Sequence, residues 1–243
     1  MRKSVILTVA LALFLGLTTQ MPYASAETKD PVFDSVWGSK DKKEEKQEHH
    51  GHFQSDAMVK LHARELGIEV EGKDIETLKE EVHEAFVKKA ADEYGIESEG
   101  KELDALEEEV RQAKVMKKAE DLGIAVEGKD PKALAKEVHE AKLKQKADEM
   151  GISVDGKDHK ELKKAVMETK LKNEADALGI STEGKDLHDL AKEVQETKVM
   201  QAANQLGIDT EGKGAEEVLD EIVTDYYDEA KKQKVYPFEE DMH

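Results

Sequence analysis

From residue 55 to about residue 231, apolar and polar positions recur with a period of 28 residues. Each period opens with an apolar pair four residues apart. It continues through a run rich in Ala, Glu and Lys, reaches a second apolar group, and ends in Gly-Ile. The Gly-Ile steps fall at Gly67, Gly95, Gly123, Gly151, Gly179 and Gly207. A Gly-Lys step follows each one, at Gly72, Gly100, Gly128, Gly156, Gly184 and Gly212. Self-similarity at a fixed spacing is the signature of a modular array.

One period shows what each module predicts. Leu103 to Leu122 contains neither Gly nor Pro and consists mainly of strong helix formers. It predicts a helix of about 20 residues, roughly 30 Å long. Gly123 supplies the left-handed residue that ends a helix, and Ile124 can pack back on the last turn. Asp130 and Pro131 suit the N-cap and first position of the next helix. Along the helix, Leu106, Val110 and Ala113 cluster on one side, whereas Val115, Ala119 and Leu122 cluster on the opposite side.

The same switch recurs as Leu78-Val82-Ala85 against Val87-Ala91-Tyr94. A helix whose apolar face flips midway belongs half to one core and half to the next. The pattern therefore predicts an all-α fold, a linear array of six 28-residue helix–loop repeats. Each small core combines the end of one helix, an extended loop and the start of the next. About eight apolar residues per core are marginal alone, so continuous helices must couple neighbours into a zigzag rod. The competing arrangement is an α-solenoid in which each helix also meets more distant ones.

The flanks read differently. Residues 1–26 have the form of a signal peptide: Arg2 and Lys3, an apolar stretch from Val5 to Leu17, and Ala24-Ser25-Ala26 before cleavage at Glu27. The expectation is an exported protein, secreted or held at the cell envelope, with no membrane span after cleavage and no Cys for a lipid anchor. Residues 27–54 read as a disordered charged linker containing His49, His50 and His52. Within it, Val32, Phe33, Val36 and Trp37 form an apolar island, either a sticky patch or a docking peptide. Residues 55–231 are the array, and residues 232–243 an aromatic and acidic tail expected to fray. Tyr226 and Tyr227 in the final repeat, with Tyr236 and Phe238 just beyond it, suit a cap over the last core, the alternative being an exposed binding peptide.

Charge narrows the partners. The net charge is −19, and removing the basic leader makes the remainder more acidic still. Such a field disfavours nucleic acid and anionic surfaces, and it favours cations and basic partners. The chain has no Cys, so disulfides, thiol catalysis and cysteine metal sites are excluded. No nucleophile elbow, phosphate loop or His-Glu-x-x-His motif is present, and small cores enclose no pocket. These features predict a protein that is not an enzyme and has no cofactor. An EF-hand calcium loop is also missing, because Val-Glu-Gly-Lys-Asp lacks its ligand spacing.

Two candidate sites remain. The loop lysines Lys73, Lys101, Lys129, Lys157, Lys185 and Lys213 are either a ligand-reading surface displayed for avidity or solvated turn residues. His49, His50 and His52 can share Zn2+, Cu2+ or Ni2+ weakly, or form an incidental polar run. His83 and His139 read as part of a solvated helix face, and His62, His159 and His188 share no partner pattern.

Leu66-Gly67-Ile68, Gly72-Lys73, Leu78 and Val82, with five further copies in phase, resemble the helix–extended loop–helix modules of the SAP and LEM families. The resemblance covers about residues 57–230. In its SAP branch it implies DNA binding through basic residues around the loop and second helix. In its LEM branch it implies protein binding. The chain departs from the SAP pattern where Lys79-Glu80-Glu81 and Glu107-Glu108-Glu109 occupy those helix starts. The expected function is an exported, non-catalytic spacer or multivalent scaffold for an unknown protein at the envelope. The alternatives are nucleic-acid binding through the loop lysines and metal binding by the histidine-rich linker.

Overall fold

A computed structural model of the chain describes residues 55–239. The leader, the linker with His49, His50 and His52, and residues 240–243 lie outside the described residues. The described residues form eight helices and no strand: α1 (Asp56–Glu65), α2 (Ile75–Glu93), α3 (Leu103–Asp121), α4 (Pro131–Glu149), α5 (His159–Ala177), α6 (Leu187–Leu206), α7 (Ala215–Thr224) and α8 (Tyr227–Gln233).

The helix ends follow from local chemistry. Asp74, Asp130, Asp158 and Asp186 accept backbone N–H bonds at the N-caps of α2, α4, α5 and α6. Asp158 and Glu161 complete a capping box. At the other end, the Ile124 amide donates to the Ala119 carbonyl at 2.8 Å and the Gly123 amide to Glu120 at 3.0 Å. This is a Schellman closure, and Gly123 accordingly has φ 68°. The same pair of bonds ends α1, α2, α4, α5 and α6.

Each long helix divides its apolar residues between two cores. Leu106 and Val110 from the first half of α3 pack with Val87, Ala90 and Ala91 of α2. Ala119 from its second half packs with Leu134 and Val138 of α4, flanked by Val115, Leu122, Ile124 and Val126. Cores of the same composition join α1 to α2 and α5 to α6. Between α4 and α5 only Ala147 and Leu162 are buried, and Val166 stays half-exposed. The residues in register with Val166 are buried in every other repeat: Val82, Val110, Val138, Val194 and Ile222.

The array is not an open row. Helix α1 packs against α7 as well as α2, so the contacts run in a cycle from α1 through α7 and back to α1. Ala57, Met58 and Leu61 of α1 share one core with Val218, Leu219, Ile222 and Val223 of α7 and with Val199, Ala202, Ala203 and Ile208 of α6 and its loop. The expected linear rod is thereby corrected: all-α stands, but the two ends meet. The reason is that α1 and α7 are half-length helices with two apolar faces. Leu61 stands in register with Lys89, Lys117, Gln145, Asn173 and Gln201, and Leu219 with Lys79, Glu107, Ala135, Lys163 and Ala191. Burying the extra pair of faces against each other removes them from water, at about 25 cal/mol per Å² of apolar surface.

The aromatic part of the tail, residues 235–238, packs as the expected cap and does not fray. Val235 and Tyr236 are buried in the closure core, and Tyr226, Tyr227 and Phe238 pack on it. Tyr227 meets Phe238 edge to face, with ring centroids 5.2 Å apart. Aromatic pairs in that geometry add to simple area burial.

The loop lysines and their glutamate partners

Each of the six loops from α1 to α7 holds a second left-handed glycine. Gly72, Gly100, Gly128, Gly156, Gly184 and Gly212 have φ between 73° and 79°. Glycine adopts this backbone without steric cost, which turns the chain just before the lysine. In the α3–α4 loop the turn is closed by the Lys129 amide donating to the Val126 carbonyl at 3.2 Å.

The turn sends the lysine side chain back over the start of the following helix. There it meets a glutamate eight residues on. Lys73 donates to Glu81, Lys101 to Glu109 and Lys213 to Glu221, each at 2.5 Å, and Lys129 and Lys185 pair in the same way with Glu137 and Glu193. These five lysine side chains are only 29–31% exposed, so their aliphatic stems lie against the loop rather than in solvent. The Glu221 carboxylate hydrogen-bonded to Lys213 raises that ammonium above its ordinary pKa.

Lys157 breaks the series. Ala165 stands where the glutamate belongs, and Lys157 donates instead to the Ser153 carbonyl at 2.8 Å. This repeat is also the one with the sparsest core. The pairing was legible in the sequence as Glu81, Glu109, Glu137, Glu193 and Glu221 at the array period, but an i,i+8 spacing is not a helix-face neighbour. It becomes a contact because the loop folds back.

With the lysine committed to an internal pair in five loops and to the Ser153 carbonyl in the remaining one, each loop presents the opposite charge at its tip. Glu71, Glu99, Glu127, Asp155, Glu183 and Glu211 immediately precede the turn glycines, and all six are exposed. The loops therefore form a repeated acidic surface, not a basic one.

The histidines separate into different surroundings. His62 is buried against Phe86, at a centroid distance of 5.5 Å, and lies 3.6 Å from Glu65. The neighbouring His62 imidazole holds the Glu65 carboxyl below the ordinary carboxylate value. His83 lies 3.9 Å from Glu107 across two helices. His139 and His159 meet with ring centroids 5.1 Å apart. No group of three or more His, Asp or Glu able to hold a metal occurs among the described residues. One open groove runs between α6 and the start of α7, lined by Glu196, Met200, Asn204 and Ala215. No helix among the described residues is long and apolar enough to cross a membrane.

No protein-family model, curated protein or solved structure matches the chain. Its function must therefore be argued from its own geometry.

Proposed function

We propose that the protein is an exported, non-catalytic scaffold that holds a basic protein partner at the cell envelope through its repeated acidic loops. The observation that carries this reading is the lysine–glutamate pair in five loops, which withdraws positive charge from the surface and leaves a carboxylate at every tip. Six similar loops on one closed body convert weak individual contacts into avidity, because later contacts form at high effective concentration.

Closure favours the scaffold over the spacer, since a cyclic array does not reach between distant points. The same pairing weighs against nucleic acid: a phosphate would have to displace five carboxylates while approaching an acidic surface. The SAP/LEM likeness is compatible with the protein-binding branch.

The test is capture of partners from envelope and culture fractions by residues 27–243, with nuclease and chelator arms. Parallel variants carry Lys in place of the tip carboxylates at Glu71, Glu99, Glu127, Asp155, Glu183 and Glu211, changed in increasing number. Capture of a basic protein that survives both treatments and declines with each reversed loop is expected. Capture lost to nuclease, or indifferent to loop reversal, would overturn the reading.

A further inference from the structure

We infer that His139 and His159 form a two-imidazole site for a late first-row divalent cation, Zn2+ or Cu2+, which joins α4 to the first turn of α5. The two residues are far apart in sequence, and neither is conspicuous there. His139 sits on a helix face and His159 at the first position of a helix. The fold brings their rings to a centroid separation of 5.1 Å with a 44° tilt.

That separation suits shared coordination. A metal about 2.0–2.1 Å from an imidazole nitrogen lies about 3.2 Å from the ring centre; ligand angles of about 90–109° then place two ring centres about 4.5–5.2 Å apart. Both histidines are exposed, so water can fill the remaining positions and the rings can turn their nitrogens inward without disturbing a core. Neutral imidazole is the common ligand for these cations, and affinity is greatest toward copper.

The placement is specific to one repeat. In register with His159 stand Ile75, Leu103, Pro131, Leu187 and Ala215, and in register with His139 stand His83, Arg111, Met167, Gln195 and Val223. Only this repeat carries both imidazoles. It is also the repeat in which Ala165 removes the lysine–glutamate pair and only Ala147 and Leu162 are buried. A cation bridging α4 and α5 would fasten together the two helices that packing holds least. Lys163 stands where Glu107 faces His83, so the site has one cation in register nearby.

The test titrates the full chain with Zn2+ alone and with Cu2+ alone, and reads stoichiometry by calorimetry and imidazole resonances by NMR. Amide exchange across residues 151–165 is followed in parallel. His139→Gln and His159→Gln are each expected to remove one binding event and the metal-induced slowing of exchange. A chain with His49, His50 and His52 all changed to Gln should keep both, and Lys163→Glu should tighten the site. The inference is overturned if His159→Gln leaves stoichiometry and exchange unchanged, or if the linker triple variant abolishes all binding.

Discussion

Lys60 Nζ lies 2.6 Å from Asp220 Oδ1, joining the first and seventh helices across 160 residues of sequence. The pair is partly exposed, at 27% and 40%, so its own contribution is about 1 kcal/mol or less. It marks the register of the closure rather than its driving force, which is the apolar core around Leu61 and Leu219.

Substitution separates the two contributions. Leu219 is fully buried, and Leu219→Ala should lower unfolding free energy by about 2–5 kcal/mol. Asp220→Asn should cost no more than about 1 kcal/mol. Denaturant unfolding measures both, and small-angle scattering of Leu61→Ala and Leu219→Ala should show expansion toward an open array. Unchanged scattering and midpoints in both would mean that the ends do not hold each other in solution.

Gly123 tests the helix ends. Nothing lies within 4 Å of a Cβ placed there, so a side chain meets no clash and only the backbone at φ 68° resists it. Gly123→Val should destabilise by about 1–2 kcal/mol, the cost of a left-handed conformation for an L residue. Gly123→Ala should cost less, since alanine is not β-branched. Equal melting of all three proteins would show that α3 does not end in this way.

Restoring the missing pair should help the sparsest repeat. Ala165→Glu places a carboxylate eight residues after Lys157, as in the five intact loops. The gain should be up to about 1 kcal/mol, as for other partly exposed pairs. Amide exchange should slow at residues 151–165 and stay unchanged elsewhere. A gain that persists when Lys157→Met is added would assign it to contacts other than the Lys157 pair, since replacing Ala by Glu cannot raise helix propensity.

Tyr236 gives the closure core an alkaline limit. Burial raises its phenol above the ordinary value of 10.0. The unfolded chain therefore ionises first, so stability is intact below about pH 10 and falls as pH rises beyond it. Tyr236→Phe should flatten that decline in denaturant midpoints measured from pH 9 to 12. A wild-type profile no steeper than that of Tyr236→Phe would place Tyr236 in contact with solvent.

Much of the architecture was legible because it is local. Asp130 and Pro131 start α4, Gly123 and Ile124 end α3, and the mid-helix switch from Leu106-Val110 to Val115-Ala119 announces two separate cores. Capping, turn chemistry and helical periodicity act within a few residues, so they are written into the 28-residue period itself.

Closure, the charge of the loops and the His139–His159 contact belong to the tertiary structure. Leu61 and Leu219 carried a signal, as apolar residues where the long helices have Lys, Gln, Asn, Glu or Ala, but periodicity alone cannot say that two spare faces meet. Lys129 and Glu137 are too far apart in sequence to be helix neighbours, and only the folded-back loop makes them partners and leaves Glu127 to face solvent. Each of these relationships depends on the direction in which one helix leaves a loop. That direction is set by packing between modules, which no single period contains.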